Sequence, residues 1–133
     1  MLKLFKEFNK SRERKKALQE FSGEVDKNLE RYYVMFQINR LRFFDLAAWE
    51  KVKILEDVRF ADPVTQYVQR LQKYNEVLKD FKDYEEWYSS DSANKTRENG
   101  SVLNQKNTRA KEEFQGLEDV IKTARDSVNK LAG

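Results

Sequence analysis

Proton transfer in this sequence would have to run on Asp, Glu, Lys and Tyr alone, because the chain contains neither His nor Cys. Losing His removes the commonest general acid and base, the Ser-His-Asp arrangement and most transition-metal sites. Losing Cys removes disulfides, zinc ribbons and thiol nucleophiles. Carboxylates do cluster, as Glu20 with Glu24, Asp83 with Glu85 and Glu86, and Glu112 with Glu113. Paired carboxylates serve glycoside hydrolysis or, with Glu-x-x-His, a di-iron centre. The second is ruled out without His, and the first needs a substrate cleft that a small helical chain rarely builds. Solvated helix faces explain these residues better, and several carboxylates have Lys at i,i+4 spacing, as Glu118 has Lys122 and Asp126 has Lys130. The chain therefore reads as non-catalytic, with no cofactor, no metal and no small-molecule substrate.

Residues suited to binding stand out more. In the first sixteen residues, Leu2, Phe5 and Phe8 share one helical face, with Lys3, Lys6, Lys10 and Arg12 around and behind it. Apolar side chains that enter the headgroup region, with cations facing anionic lipid, make an interfacial anchor. Residues 1–16 hold seven basic against two acidic residues, a net +5, while the whole chain is +3, so the remainder carries −2. The same basic tail could instead grip a nucleic-acid backbone, although no helix-turn-helix, RNP-type or zinc signature accompanies it. The plainest alternative is that the segment continues the first helix and packs on the bundle end. A second contact surface is expected at Tyr84, Trp87 and Tyr88, since Trp and Tyr dominate binding hot spots. Partners are thus a protein or a second copy of the chain, an anionic membrane surface, and less readily nucleic acid.

The elements that must position these residues follow from three ladders with steps of four and three. The first runs Leu18, Ser22, Val25, Leu29, Tyr32, Phe36, Asn39, Phe43, Leu46. The second runs Phe60, Val64, Tyr67, Leu71, Tyr74, Leu78, Phe81, Glu85, Tyr88. The third runs Leu103, Asn107, Ala110, Phe114, Leu117, Ile121, Ala124, Val128, Leu131. Such spacing lays one apolar stripe along a helix and, when sustained, favours coiled-coil-like packing. Polar residues on the stripes, namely Ser22, Asn39 and Asn107, either fix register or lie at a solvent edge. The heptad column Phe60, Tyr67, Tyr74, Phe81 and Tyr88 reads as core rather than as a ligand box. Only four Gly and one Pro occur, too few for the turns of an all-β domain.

The expected fold is all-α: an antiparallel up-down-up bundle with long helices over 17–45, 63–88 and 102–131. A short helix over about 46–58 uses Trp49, Val52, Leu55 (or Ile54) and Val58, with Asp45 as a cap. Residues 1–16 form the basic amphipathic segment and 17–133 the bundle domain. Asp62-Pro63 starts the second long helix, residues 89–101 form a polar loop, and Ser101 caps the third. Gly23 marks a bend or break in the first. No stretch is apolar enough to span a membrane and no secretory leader is evident, so the expected location is cytoplasmic with membrane association through residues 1–16. The resulting functional expectation is an interaction or assembly protein, an adaptor or scaffold, with nucleic-acid binding by the tail as the alternative.

Overall fold

The computed structural model describes the backbone of residues 2–132 and the side chains of residues 11–132. All of its regular structure is helical. Helix α1 spans Leu2–Ile38, α2 Trp49–Val52, α3 Glu56–Arg59, α4 Asp62–Ser90, α5 Arg97–Phe114 and α6 Leu117–Ala132, with one 3-10 turn at Ser92–Asn94. The apolar ladders lie where the helices pack: Leu18, Val25, Leu29 and Tyr32 on α1, Val64, Tyr67, Leu71, Tyr74 and Leu78 on α4, and Leu117, Ile121, Ala124 and Val128 on α6 are all buried.

The order of the helices differs from the expected up-down-up path. Helices α1 and α4 run in the same direction. Between them, residues 39–61 travel back along α1: Tyr74 donates to the Arg42 carbonyl beside Met35, Asp45 meets Asn28, Ala48 meets Glu24, Lys51 meets Glu20 and Asp57 meets Arg14. Only then does α4 begin, and it climbs again past Phe21 to Met35 through Tyr67 and Tyr74. Helices α5 and α6 return antiparallel, with Lys106 on Asp80, Lys73 near Glu113, Tyr33 on Glu118 and Ser22 on Asn129. The path is up, back along a return leg, up, and down.

Distance explains why the leg is not the single helix expected over 46–58. From Met35 to Arg14 along α1 is about 31 Å, whereas the roughly 15 residues from Arg42 to Asp57 would cover only about 22 Å as continuous helix. The leg therefore stays partly extended and forms two one-turn helices, with Trp49, Val52 and Val58 turned into the core. Its backbone polar groups find partners in side chains, as buried amides must. Asn28 of α1 accepts from the Asp45 N–H (3.1 Å) and donates to the Asp45 carbonyl (2.8 Å). Asn75 of α4 does the same for Phe44, at 3.0 Å in each direction. Two side-chain amides thus hold consecutive residues of the leg in the groove between α1 and α4.

The helix ends also differ from the sequence reading. Helix α1 stops at Ile38, not 45, because Asn39 adopts a left-handed conformation (φ 52°) and the Arg40 N–H turns back to the Met35 carbonyl. Asn tolerates that conformation better than other non-glycine residues, so Asn39 ends the stripe rather than setting register within it. Gly23 lies inside the unbroken helix. Asp62 is the first residue of α4 and makes no side-chain cap; Pro63 occupies the first turn as expected. The 89–101 loop is mostly helical: Asp91 caps the 3-10 turn by accepting from Ala93 N, and Thr96, not Ser101, caps α5 by accepting from Asn99 N. The third ladder is divided between two helices at Gln115-Gly116, where Gly116 takes φ 79°. That bend turns Phe114 onto Tyr32, with ring centres 4.6 Å apart.

Candidate functional site

The backbone of the basic amphipathic segment is helical from Leu2 and continuous with the rest of α1. The side chains of Leu2, Lys3, Phe5, Lys6, Phe8 and Lys10 lie outside the described residues. Arg12 is described and exposed, as are Lys15 and Lys16. At this end the return leg makes its bends, and Arg14 clamps it with two hydrogen bonds to Asp57, 2.9 and 2.5 Å. The guanidinium holds the Asp57 carboxyl below its ordinary range, and the carboxylate raises the Arg14 pKa in turn. A groove of about 590 Å³ runs between the start of α1 and the link from α2 to α3, lined by Ser11, Glu13, Arg14, Ala17, Lys51, Ile54 and Leu55. Ile54 is 76% exposed and Phe60 68% exposed, three residues before and three after Asp57 in the sequence. Phe60 was expected in the core as the first member of its column. Instead it ends α3 outside the bundle, with the Arg59 guanidinium 4.5 Å over its ring.

A second, polar groove lies further along α1, lined by Glu20, Gly23, Glu24, Lys27, Arg31, Asp45, Ala47, Ala48 and Lys51. Glu24, only 8% exposed, sends Oε2 to the Ala48 N–H (2.7 Å) at the start of α2, so one helix supplies the cap of another. Its Oε1 is buried without a hydrogen-bond partner. Burial raises the Glu24 pKa, opposed by the backbone N–H groups of Ala48 and Trp49. Asp45, expected to cap this helix, instead accepts from Ala47 N in a local turn. Burial also pushes the Tyr67 and Tyr74 hydroxyls well above the usual phenol range, so both stay protonated as donors or acceptors within the core. Among the described residues no group of three Asp or Glu side chains gathers closely enough to hold a metal ion, and no helix is long and apolar enough to cross a membrane.

The second expected surface stands at the far end, where α4 and α5 continue past the end of α1 as a two-helix arm. Trp87 is 45% exposed and packs on Tyr84, ring centres 5.3 Å apart, while Lys106 of α5 lies 5.4 Å from the Tyr84 ring. Tyr84 and Tyr88 are half-buried in the seam, and a Cβ placed on Gly100 would sit 3.4 Å from the Tyr88 hydroxyl. The three aromatics are thus together on one arm, well away from the basic end.

Sequence reasoning missed Asn28 and Asn75 and placed Glu24 on a solvated helix face, whereas Glu24 is buried under the leg; all three roles depend on a return leg that ladder spacing cannot reveal. Ile54 was named only as an alternative to Leu55. The flanking Lys51 and Lys53 were the available sign that this turn faces outward. Comparison with protein-family models, with curated proteins and with solved structures finds no match to the chain.

Proposed function

We propose that this chain is a non-catalytic interaction and assembly protein, cytoplasmic, that seats the basic start of α1 on an anionic membrane surface. One observation carries the reading. The core is filled by residues such as Phe21, Tyr67, Tyr74, Leu78 and Ile121, yet large apolar side chains remain outside it, with Phe36 70% exposed beside Tyr33, Val34 and Ile38 on the last turns of α1. Side chains that the fold does not need, on the last turns of α1, on the return leg and on the α4–α5 arm, suit contact with something else. The arm, a coiled-coil-like seam with Trp87 on its flank, is the surface for a protein partner or a second copy.

Vesicle flotation of the full-length protein tests the membrane part. Binding to phosphatidylcholine vesicles containing one-third phosphatidylserine, and not to phosphatidylcholine alone, is the expected result; recovery in the soluble fraction with both refutes it. Light scattering tests assembly: a mass above that of the 15.9 kDa chain is expected if the arm pairs with a second copy. The exposed Arg12, Lys15 and Lys16 favour one other reading, nucleic-acid binding. It predicts a gel shift whose affinity falls steeply with salt.

A further inference from the structure

We infer that two copies of this chain pair through the α4–α5 arm in antiparallel fashion, the tip of each arm lying against the arm base and the α1 end of the other. The inference rests on the assembly reading above and fixes its partner and direction. Tyr74 meets Met35, so α1 ends near the level of Val77, whereas α4 runs on to Ser90. About 20 Å of the α4–α5 pair therefore stands beyond the end of α1. Burial along the stripes changes at this level. Val64, Tyr67, Leu71, Tyr74 and Leu78 are wholly buried in the body, as is Ala110 of α5. Further along the same stripes Phe81, Tyr88 and Leu103 are only half-buried, and Glu85 is exposed.

Charge identifies the occupant of this face and its direction. The tip, residues 84–100, holds Glu85, Glu86, Asp91 and Glu98 against Lys95 and Arg97, a net −2. The base, residues 36–43, 79–83 and 101–107, holds Arg40, Arg42, Lys79, Lys82 and Lys106 against Asp80 and Asp83, a net +3. Both acids of the base are taken within the chain, Asp83 by Lys79 and Asp80 by Lys106. Arg40, Arg42 and Lys82 remain as its surplus. Among the described residues, Arg40, Arg42, Glu85 and Glu86 make no ion pair. One chain thus presents both halves of a complementary pair, and an antiparallel two-fold brings tip to base twice. A parallel pairing would set like charge against like, and an anionic surface that suited the base would be repelled by the tip. Glu85 stands on the stripe itself, where a charged member fixes the direction of pairing at some cost in stability. The base adds apolar surface at Phe36 and Ile38, which are 70% and 48% exposed.

The face is about 20 Å long and two helices, or about 20 Å, wide. That is about half the 800 Å² per partner of a standard interface, so the dimer is weak and concentration-dependent. Light scattering of the full chain at low salt, over about 10–500 μM, reads the mass. The parent should rise toward twice 15.9 kDa, and its dissociation constant should increase with salt, a readout that needs no variant. Arg40→Glu with Arg42→Glu should weaken the dimer at least about tenfold, and so should Glu85→Lys with Glu86→Lys. The chain with all four substitutions should return to within about threefold of the parent, because tip and base attract again with their signs exchanged. All four residues are exposed, and far-UV circular dichroism checks that each variant is folded. A parent that stays monomeric throughout overturns the inference and leaves the arm to a different protein partner. A dimer that neither pair of substitutions weakens forms elsewhere on the chain, which overturns the pairing and denies the arm a second copy. Weakening without recovery in the fourfold variant overturns the antiparallel arrangement.

Discussion

Replacing Asn28 with alanine removes the side chain that ties the return leg to α1. Asn28 is completely buried and makes four hydrogen bonds: two with the Asp45 backbone, one to the Tyr67 hydroxyl at 2.7 Å and one from Arg31 at 3.1 Å. Arg31 is only half-buried and can turn to water. Asp45 borders the polar groove, so its backbone recovers part of its hydration. The buried Tyr67 hydroxyl cannot. With about 1–3 kcal/mol for each buried group left unpaired, the expected loss is about 2–4 kcal/mol. At a urea slope of about 2 kcal/mol/M, the midpoint falls by about 1–2 M, measured by circular dichroism at the helix band. Asn28→Asp should be at least as damaging at neutral pH, because Asp cannot donate and adds a charge near Glu24 and Asp45. An Asn28→Ala protein within about 0.5 kcal/mol of the parent would mean that water replaces the amide freely, and the account of the leg would be wrong.

The other expectations concern single residues. Asn75→Ala should cost about 1–2 kcal/mol, and combined with Asn28→Ala it should fall short of additivity, because both amides hold neighbouring residues of one leg. Glu24 has its pKa raised by burial, so its contribution is full below the ordinary value of 4.5 and is lost as pH rises through the raised value; Glu24→Gln should flatten that part of a stability–pH profile. Asp57 has the opposite sign: its contribution is present above 3.8 and lost as pH falls through its lowered pKa, and Arg14→Gln should remove it at a cost below about 1 kcal/mol, since the pair is partly solvated. Gly116→Ala should destabilise by about 1–2 kcal/mol through its left-handed backbone, whereas Gly23→Ala, in a helix with nothing within 4 Å of the added Cβ, should stabilise by about 0.5–1 kcal/mol. Thermal melts distinguish the two signs.

What could be read in the sequence was whatever repeats with the helical period. Tyr67, Leu71, Tyr74 and Leu78 fall in the core as their spacing indicates, and Ile121, Ala124 and Val128 likewise. The period does not carry direction. A stripe is equally well buried by a parallel or an antiparallel neighbour, so the parallel pairing of α1 with α4 could not be seen. Nor does it count breaks: the third ladder keeps its rhythm across Gly116 although the helix does not. The extended leg was illegible because its amides are satisfied by Asn28 and Asn75 rather than by a ladder of its own. The basic amphipathic pattern of residues 1–16 is a property of the sequence and its contact role stays a proposal, whereas the exposure of Ile54 and Phe60 was not legible, because it depends on where α1 lies.

The pairing of α1 with α6 has a consequence for synthesis. Ser22 meets Asn129 and Tyr33 meets Glu118, so the earliest helix receives one of its main neighbours from the latest. At about 5–20 residues per second, translation leaves α1 waiting roughly 5–19 s between the emergence of Ile38 and that of Ala132. Throughout that interval the part of its oily side that α6 covers is open on the ribosome, where α4 and α5 can already close on each other as a local hairpin. Nascent chains halted before residue 117 should therefore bind a chaperone that full-length chains release.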